Sequence, residues 1–436
     1  MVLQELKLII EGGKSERNVF IKSFVPGKEW ILVMMEFDFN EEQKMIQKTA
    51  REFCQEKIAP IVRKLDEEKK IPAEIIKDMS NTGYIGMSFS ADYKGLGADP
   101  VTVGLVAEEI ARADISCVIP TFFLIPVVWG YIFNKYGVEK AKANVLPKVV
   151  KGEAFLGIAA TEPNVGSDLA NMKTVARKAG DNYIVNGEKM FISGISEVVH
   201  QFTEGGGHVT LVKTDSTKGT RGISLLYIPL KSTRGITTTI LEDWGRRGIS
   251  TGGFTLEDAE IYQDYLIGEE NKGFYLAMEG FDYARAIISI VCCGAAMSAL
   301  EQAMEYLKLR TAFGQPIGKF EGIQFKLAEH WAKLEAVKLL GYKALWMFRK
   351  KQAEKVYNGF EATKLCASAK LLAPVTAFEA INDAIQWFGA FGYTTECSLE
   401  LALKGVRSYF WAEGSLEVMK IIVARELLGK DYIAYR

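Results

Sequence analysis

Histidine is scarce in this chain of 436 residues, which contains only His200, His208 and His330. So few imidazoles argue against a multi-histidine metal site and against catalysis by several histidines, and no metal ligand set is predicted. If the chain is an enzyme that moves a proton, a carboxylate is therefore the favoured base by elimination.

The cysteines also form no motif that points to a particular function. The six cysteines show no Cys-x-x-Cys spacing, and neighbours such as Cys292 and Cys293 rarely bond to each other. The pattern predicts a reduced, cytoplasmic protein without a zinc site.

Net charge and long apolar runs are missing as well. The 53 basic and 54 acidic side chains leave a formal charge of -1, which gives no large field for attracting nucleic acid or an acidic membrane. No run approaches the roughly 18 apolar residues of a membrane span. The N-terminal stretch carries several glutamates, unlike an acid-poor transit peptide. These absences predict a chain that partners neither nucleic acid nor membrane.

The residue pattern changes twice along the chain, and these changes predict an α+β fold. Helical periodicity fills residues 35–156, short β-rich runs divided by glycines fill 157–272, and helical spacing returns over 273–436. Residues 1–34 form an N-terminal extension, which is either a strand-and-turn segment or sequence upstream of a start at Met35. The Gly-x-Gly-x-x-Gly signal of a Rossmann unit after a first strand is absent.

Three local signals predict where elements begin, turn and end. Asn40, followed by two glutamates, is typical of a helix N-cap. Asn186-Gly187 between two β-rich runs predicts a hairpin with a type I′ turn. Gly429, directly after an apolar-rich helix, is a good C-terminal stop.

Glu413 is the candidate general base. It lies in the Trp-Ala-Glu-Gly-Ser sequence of residues 411–415, where apolar neighbours precede a Gly-Ser bend at the start of the last helix. A free glutamate titrates near about 4.3, so burial must raise its pKa before it can take a proton from carbon. Backbone N–H groups at the helix N-terminus are free to meet a carbonyl or a phosphate. From this segment alone, Glu413 and Glu417 are equally well explained as first-turn acids favoured by the helix dipole.

Six motifs resemble those of the acyl-CoA dehydrogenases. They are Ile158 to Asp168 (IAATEPNVGSD), Lys189 to Gly194 (KMFISG), Gly268 to Phe274 (GEENKGF), Arg310 to Ile317 (RTAFGQPI), Gln386 to Tyr393 (QWFGAFGY) and Glu413 to Ser415 (EGS). Motifs in the family's order over such a length are hard to produce by chance. The chain is identified as a member of this family.

The resemblance implies an FAD-dependent enzyme. Glu413 would remove the α-proton of an acyl-CoA thioester while the β-hydrogen leaves as hydride to the flavin, and electrons would pass to electron-transfer flavoprotein. The family fold implies an N-terminal helical domain, a middle β-barrel or β-sandwich domain and a C-terminal four-helix bundle, assembled as a homotetramer from pairs of dimers. The family's alternative base position falls on Ala284, which strengthens the case for Glu413.

The resemblance also implies a set of binding residues. The expected cofactor contacts are Thr161, Phe191, Ser193, Arg310, Phe313, Gln386, Gly389, Gly392, Ser415 and Glu417. The expected substrate contacts are Ser167, Asp282, Arg285 and Gly414. Arg310 and Phe313 would hold the pyrophosphate and adenine end of FAD across a dimer interface, because arginine offers a forked donor to phosphate oxygens. Two roles stay open for Arg285, which either shapes the site near the acyl chain or forms a structural ion pair.

Departures from the family pattern bear on the substrate. Ala412 stands where tyrosine is common, which predicts added volume near the acyl carbons and a short, branched or alicyclic acyl group, unless Trp411 and Phe410 refill the space. Two further functions remain as alternatives. One is an oxidase, a desulfinase-like or a nitroalkane-oxidising flavoenzyme, and the other is a catalytically silent assembly protein. Retention of Glu413 and Arg310 argues against the silent protein, because a scaffold need not keep a base.

Overall fold

The computed structural model describes residues 38–353 and 359–432. The N-terminal extension of residues 1–34 and the question of a start at Met35 lie outside the described residues. The chain divides into two compact units, residues 1–45 and 46–436. In the described part of the first unit, Asn40 Oδ1 accepts a hydrogen bond from the backbone N–H of Gln43 at 2.8 Å, so the predicted N-cap is confirmed.

Six helices precede the first strand in the described residues. They are α1 (Glu41–Phe53), α2 (Val62–Glu68), α3 (Ala73–Asn81), α4 (Pro100–Ala113), α5 (Val118–Tyr136) and α6 (Glu139–Val150). Helix α4 begins as its sequence dictates, since Asp99 accepts from the N–H of Val101 at 2.9 Å and proline occupies the first helical position. The predicted N-terminal helical domain is confirmed.

Eight strands form a single sheet in the middle of the chain. They are β1 (Phe155–Ala159), β2 (Val175–Ala179), β3 (Asn182–Ser193), β4 (Gly206–Lys213), β5 (Ile223–Pro229), β6 (Ile236–Leu241), β7 (Thr251–Tyr262) and β8 (Leu266–Ile267). The strand order is β6-β7-β3-β2-β4-β5-β8, and β1 pairs with β4 off this path. Strands β1 and β2 run parallel to β4, and the other pairs are antiparallel. The middle β domain is confirmed as one sheet.

The predicted hairpin at Asn186-Gly187 is wrong. Both flanking runs belong to the one strand β3, and both pair with β7, so the dipeptide forms a bulge at a register shift instead of a turn. The Asn186 side chain bridges to Asp258 on β7 with two hydrogen bonds of 2.9 Å. Gly187 has φ +146°, and a Cβ there would lie 2.5 Å from the Cα of Thr174, which explains the glycine without a hairpin.

Helices return after the sheet. They are α7 (Gly273–Leu309), α8 (Glu321–Ala353), α9 (Gly359–Trp387), α10 (Leu399–Ser408) and α11 (Leu416–Leu428), and the short strands β9 (Thr311–Ala312) and β10 (Gln315–Pro316) follow α7. Helices α7, α8 and α9 pack on one another, while α10 and α11 pack against α9. Gly429 ends α11 with φ +93°, and its N–H bonds the carbonyl of Arg425, as predicted. The C-terminal helical domain is confirmed.

The prediction that no run approaches the length of a membrane span is wrong by length and composition, because two described helices, α5 and α7, are long and apolar enough to cross a membrane. Their apolar windows are 83% and 94% buried inside the fold. Core helices of folded domains pass the same test, and the near-complete burial of α7 follows from its packing against α4, α5, α8 and α9.

Candidate active site

One large cavity of about 1780 Å³ lies between the loops of the sheet and helices α5, α7, α10 and α11. Pockets for a single drug-sized ligand are usually about 300–1,000 Å³, so this cavity has room for more than one bound molecule. Nine of the residues predicted from sequence line it, namely Thr161, Ser167, Phe191, Ser193, Asp282, Arg285, Glu413, Gly414 and Ser415.

The turn between α10 and α11 presents Glu413 to the cavity. Glu413 has φ +58° and Gly414 has φ +102°, so two successive residues adopt positive φ. A Cβ at Gly414 would lie 2.9 Å from the Cε of Met419, which adds a steric reason for glycine. Ser415 then caps α11, since its hydroxyl accepts from the N–H of Val418 at 3.3 Å. The Gly-Ser bend inferred from the sequence thus turns the Glu413 carboxylate toward the cavity.

The electrostatics of Glu413 suit a base. Burial raises the pKa of Glu413 to about 7, although the positive charges of Arg285 and Lys370 oppose the shift. Within the described residues no protein donor hydrogen-bonds its carboxylate, which leaves both oxygens available to the cavity. A carboxylate half protonated near neutral pH exchanges protons readily in both directions.

Arg285 forms the structural ion pair that was one of the two roles left open by the sequence. It lines the cavity, and its Nε donates to the carbonyl oxygen of Glu413 at 3.0 Å. Its Nη1 lies 3.2 Å from Asp282 Oδ1 in an ion pair that is almost fully buried. Asp282 also accepts from the hydroxyl of Thr363 at 2.6 Å. Because Asp282 is satisfied inside the protein, its first role is to orient Arg285.

Lys370, in the middle of α9, was not found from the sequence. Its side chain is fully buried, and its Nζ donates to the carbonyl oxygens of Phe410, at 3.4 Å, and Gly414. Burial lowers the pKa of Lys370 to about 8, and nearby Arg285 adds to the decrease. The lysine and Arg285 therefore hold three carbonyls of the turn that carries Glu413.

A structural role for Glu162, inside the first motif, was also not predicted from the sequence. Its carboxylate accepts from the N–H groups of Lys173 and Thr174 at 2.6 and 2.9 Å and from the Thr174 hydroxyl at 2.6 Å. It also forms a buried ion pair of 3.0 Å with Lys189, the first residue of the second motif. Burial lowers the pKa of Lys189 to about 8, because desolvation outweighs the attraction of Glu162. This pair fixes the loop that lines the cavity to strand β3.

Phe191 and Ser193 occupy a second bulge of β3. The register against β7 shifts between Met190 and Ile192, and Phe191 takes φ +61° with 62% of its surface exposed. The N–H of Met190 donates to the carbonyl of Thr161 at 3.0 Å, which ties the two motifs together. Phe191 and Ser193 both line the cavity, and an aromatic ring together with a hydroxyl fits the flat, polar-edged ring system of a flavin.

The remaining predicted cofactor residues do not line this cavity. Arg310, Phe313, Gln386, Gly389 and Gly392 lie at the ends of α7 and α9, where stacking of Tyr306 on Phe388 at 4.3 Å joins the two ends. Phe313 is 96% exposed and has φ +51°. Glu417 faces solvent in the first turn of α11, 3.8 Å from Lys420, outside the cavity.

No metal centre accompanies the cavity in the described part of the chain. Residues 38–353 and 359–432 contain no group of three or more His, Cys, Asp or Glu side chains that could hold a metal ion. All six cysteines are free and buried.

Comparison with known protein families finds a match for each of the three domains. Residues 40–153 match the family "Acyl-CoA dehydrogenase, N-terminal domain", residues 157–259 the middle domain and residues 271–428 the C-terminal domain. The chain is similar to a 3-(aryl)acrylate reductase of Clostridium sporogenes, with 35% identity over 89% of this chain and 99% of the relative. It is also similar to a short-chain specific acyl-CoA dehydrogenase of Clostridium acetobutylicum, with 32% identity over 90% of this chain and 100% of the relative.

Solved structures agree with these matches. The fold resembles that of butyryl-CoA dehydrogenase from Megasphaera elsdenii, with a TM-score of 0.82, 30% identity and coverage of 90% of this chain and 100% of the other. It also resembles a chain in a structure described as the electron transferring flavoprotein of Acidaminococcus fermentans, with a TM-score of 0.83, 30% identity and coverage of 91% and 100%. The three domains, the ordered motifs and the inward carboxylate together show that this chain belongs to the acyl-CoA dehydrogenases, a family of FAD-dependent oxidoreductases.

Proposed function

We propose that this chain catalyses the α,β-dehydrogenation of an acyl-CoA thioester with Glu413 as the base. The observation that carries the proposal is the position of the Glu413 carboxylate on the cavity, where it accepts no hydrogen bond from the described residues and has a pKa raised to about 7 by burial. A base with that pKa is about half ionised at neutral pH and largely ionised above it, and it is still basic enough to take a proton that a thioester has acidified.

The cofactor and the side chains have separate roles in this reaction. Bound FAD supplies the acceptor for the hydride that leaves the β carbon. Glu413 takes the α-proton on a carboxylate oxygen, and the electron pair of that C–H bond becomes the α,β double bond. Arg285 and Lys370 keep the carbonyls of the Glu413 turn in place, so the carboxylate stays directed at the substrate.

Reduction of an enoyl or arylacrylate substrate is a second candidate. Since Glu413 titrates near neutral pH, its protonated form is available to return a proton to the α carbon when the reaction runs backward. The similarity to a 3-(aryl)acrylate reductase supports this direction. The same carboxylate and the same cavity serve both directions.

We propose a homotetramer built from dimers, in which the partner subunit completes the FAD site. Arg310 and the glycine motif lie outside the cavity, at a surface where Phe313 and Tyr393 are each 96% exposed. Exposed aromatic residues of this kind are enriched at interfaces between subunits. We further propose electron-transfer flavoprotein as the electron acceptor, in line with the similarity to the structure from A. fermentans. A cytoplasmic location is proposed because all six thiols are free.

Anaerobic titration with a panel of thioesters tests the proposed function. Butyryl-CoA, octanoyl-CoA and cyclohexanecarbonyl-CoA are added to the FAD-loaded protein while the visible flavin band is followed. We expect bleaching by at least one thioester, with the small side chain of Ala412 on the cavity favouring a short, branched or alicyclic acyl group. A clear preference for octanoyl-CoA would remove that substrate class. A protein that binds FAD and is bleached by none of them, nor by glutaryl-CoA or adipoyl-CoA, would support the silent assembly protein.

Lys370→Met is expected to shift the pH dependence of the reaction. The lysine cation opposes the upward shift of the Glu413 pKa, so its removal raises that pKa further, by roughly 1 unit. The rate should then reach half its maximum at a higher pH than in the wild type. The measurement is kcat/KM from pH 5.5 to 9 for both proteins.

The matched control is Lys420→Met, because Lys420 is an exposed lysine on α11. Its profile should coincide with that of the wild type. An unchanged midpoint for Lys370→Met, with any loss confined to stability, would contradict an electrostatic role for Lys370.

A further inference from the structure

Arg246 is a strained arginine on the wall of the cavity. It lies in the loop between β6 and β7 and has φ +55°, a left-handed conformation that L-residues seldom adopt. Such strain persists only where the surrounding structure imposes it, and it concentrates at functional sites. The loop therefore holds this side chain in a particular place.

Two buried side chains orient the guanidinium. Its Nη1 donates to the hydroxyl of Thr121 on α5 at 3.1 Å, and its Cζ lies 5.8 Å from the centroid of the Tyr409 ring at the end of α10. Thr121 and Tyr409 are 3% and 1% exposed, and their hydroxyl oxygens lie 2.8 Å apart. Three separate segments of the chain thus fix the position of one cation.

The guanidinium has no anionic partner among the described residues. No carboxylate of residues 38–353 or 359–432 forms an ion pair with it, and its Nε is buried without a hydrogen-bond acceptor. The neighbouring Arg247, in contrast, is paired with Asp66 at 3.5 Å. Asp243 lines the same cavity but forms no ion pair with Arg246. A buried, unsatisfied donor on an arginine is costly, so an acceptor supplied by a ligand would be bound strongly.

The other charges on this wall leave it positive. Lys404 also lines the cavity and is paired with Glu400 at 3.7 Å, but Glu400 is shared with Arg63 at 2.6 Å. Arg407 lies over the ring of Phe410 at 4.1 Å. The end of the cavity around Arg246 therefore has more positive than negative charge.

The segment that packs on this cation also carries Glu413. Its neighbour Tyr409 precedes Glu413 by four residues in one segment, so their Cα atoms are at most about 14 Å apart. Ala412, Glu413 and Arg246 line the same space. An acyl chain with its α carbon at Glu413 can thus extend toward Arg246.

We propose that Arg246 binds a carboxylate at the far end of the acyl group, so that the preferred substrate is the monothioester of a dicarboxylic acid. The inference rests on the proposed dehydrogenation and adds the substrate class. A planar guanidinium with free N–H groups matches a carboxylate in a two-point hydrogen-bonded pair, which a methyl terminus cannot form. The missing acceptor of Nε and the missing counter-charge are then both supplied by the substrate.

Substrates matched in carbon count test the inference. The ratio of kcat/KM for glutaryl-CoA over pentanoyl-CoA, and for adipoyl-CoA over hexanoyl-CoA, is measured for the wild type, Arg246→Gln and Arg246→Lys. The wild type should favour a dicarboxylic thioester at least tenfold in one pair. Arg246→Gln should reduce that ratio by about 10- to 100-fold, and Arg246→Lys should restore part of it, because lysine keeps the charge but not the fork. The control Arg247→Gln, whose side chain pairs with Asp66, should keep the wild-type ratio.

The possible failures are distinguishable. Ratios near one in the wild type, with the monocarboxylic thioesters turned over, overturn the inference and leave the dehydrogenase intact. Loss of FAD from Arg246→Gln with an unchanged ratio also overturns it, because the guanidinium then serves the cofactor. A wild-type protein with bound FAD that is bleached by no thioester overturns the proposed function together with the inference.

Discussion

Glu413→Gln is expected to lower the rate of flavin reduction by about 10²- to 10⁴-fold. A positioned general base contributes a factor of this size, and an amide cannot accept the α-proton. The substitution keeps the shape of the side chain. It also breaks no hydrogen bond of the protein, because within the described residues only the backbone carbonyl of Glu413 is bonded by Arg285. Steady-state turnover and FAD content of the purified variant, compared with the wild type, give the result.

Glu417→Gln is the matched control for this prediction. Glu417 is an exposed acid of the same helix start, 3.8 Å from Lys420 and outside the cavity. With FAD saturating, so that the cofactor contact implied for Glu417 by the resemblance does not enter, its rate of flavin reduction should stay close to that of the wild type. Equal losses in the two variants would mean that the segment tolerates no substitution, and the base would have to be sought elsewhere.

Glu162→Gln is expected to destabilise the protein by roughly 3 kcal/mol. It leaves the charge of Lys189, which is fully buried, without its partner, and removing one member of a buried pair typically costs about 3–5 kcal/mol. The measurement is the shift in the urea midpoint at fixed protein concentration and saturating FAD. Since Glu162 also holds the N–H groups of Lys173 and Thr174, the loop that lines the cavity should become more susceptible to protease.

Two further variants separate the charge effect from packing. Glu162→Gln combined with Lys189→Met should recover much of the loss, because replacing both partners leaves no uncompensated charge. Glu305→Gln, which removes half of an exposed ion pair with Lys308, should change stability by about 1 kcal/mol or less. A Glu162→Gln midpoint equal to that of the wild type would contradict the buried-pair account.

The turn that carries Glu413 was predictable because its signals are local. Glu413, Gly414 and Ser415 are adjacent in sequence, and the positive φ of Gly414, the cap at Ser415 and the stop at Gly429 each follow from residue type. The order of the domains could also be predicted, because the hydrophobic period and the glycine content change along the chain. The binding roles assigned from family motifs stay predictions, although eight of those residues do line the cavity.

What the sequence did not reveal depends on contacts between distant residues. Lys370 is one of two lysines on α9, and its partner carbonyls are 40 and 44 residues away. Arg246 is of interest because no carboxylate among the described residues pairs with it, and no local pattern encodes that property. The hairpin prediction failed for a related reason: Asn-Gly favours a turn in isolation, but pairing of both flanks with β7 keeps β3 continuous.

The pH dependence of anaerobic, single-turnover flavin reduction tests the central claim most directly. With the best thioester of the panel, the wild-type rate should rise with pH through one ionisation at about 7, because Glu413 must lose its proton to act. In Glu413→Gln the residual rate should be slow and should lack that ionisation. A wild-type profile flat between pH 5.5 and 9, or the same ionisation in both proteins, would contradict Glu413 as the base.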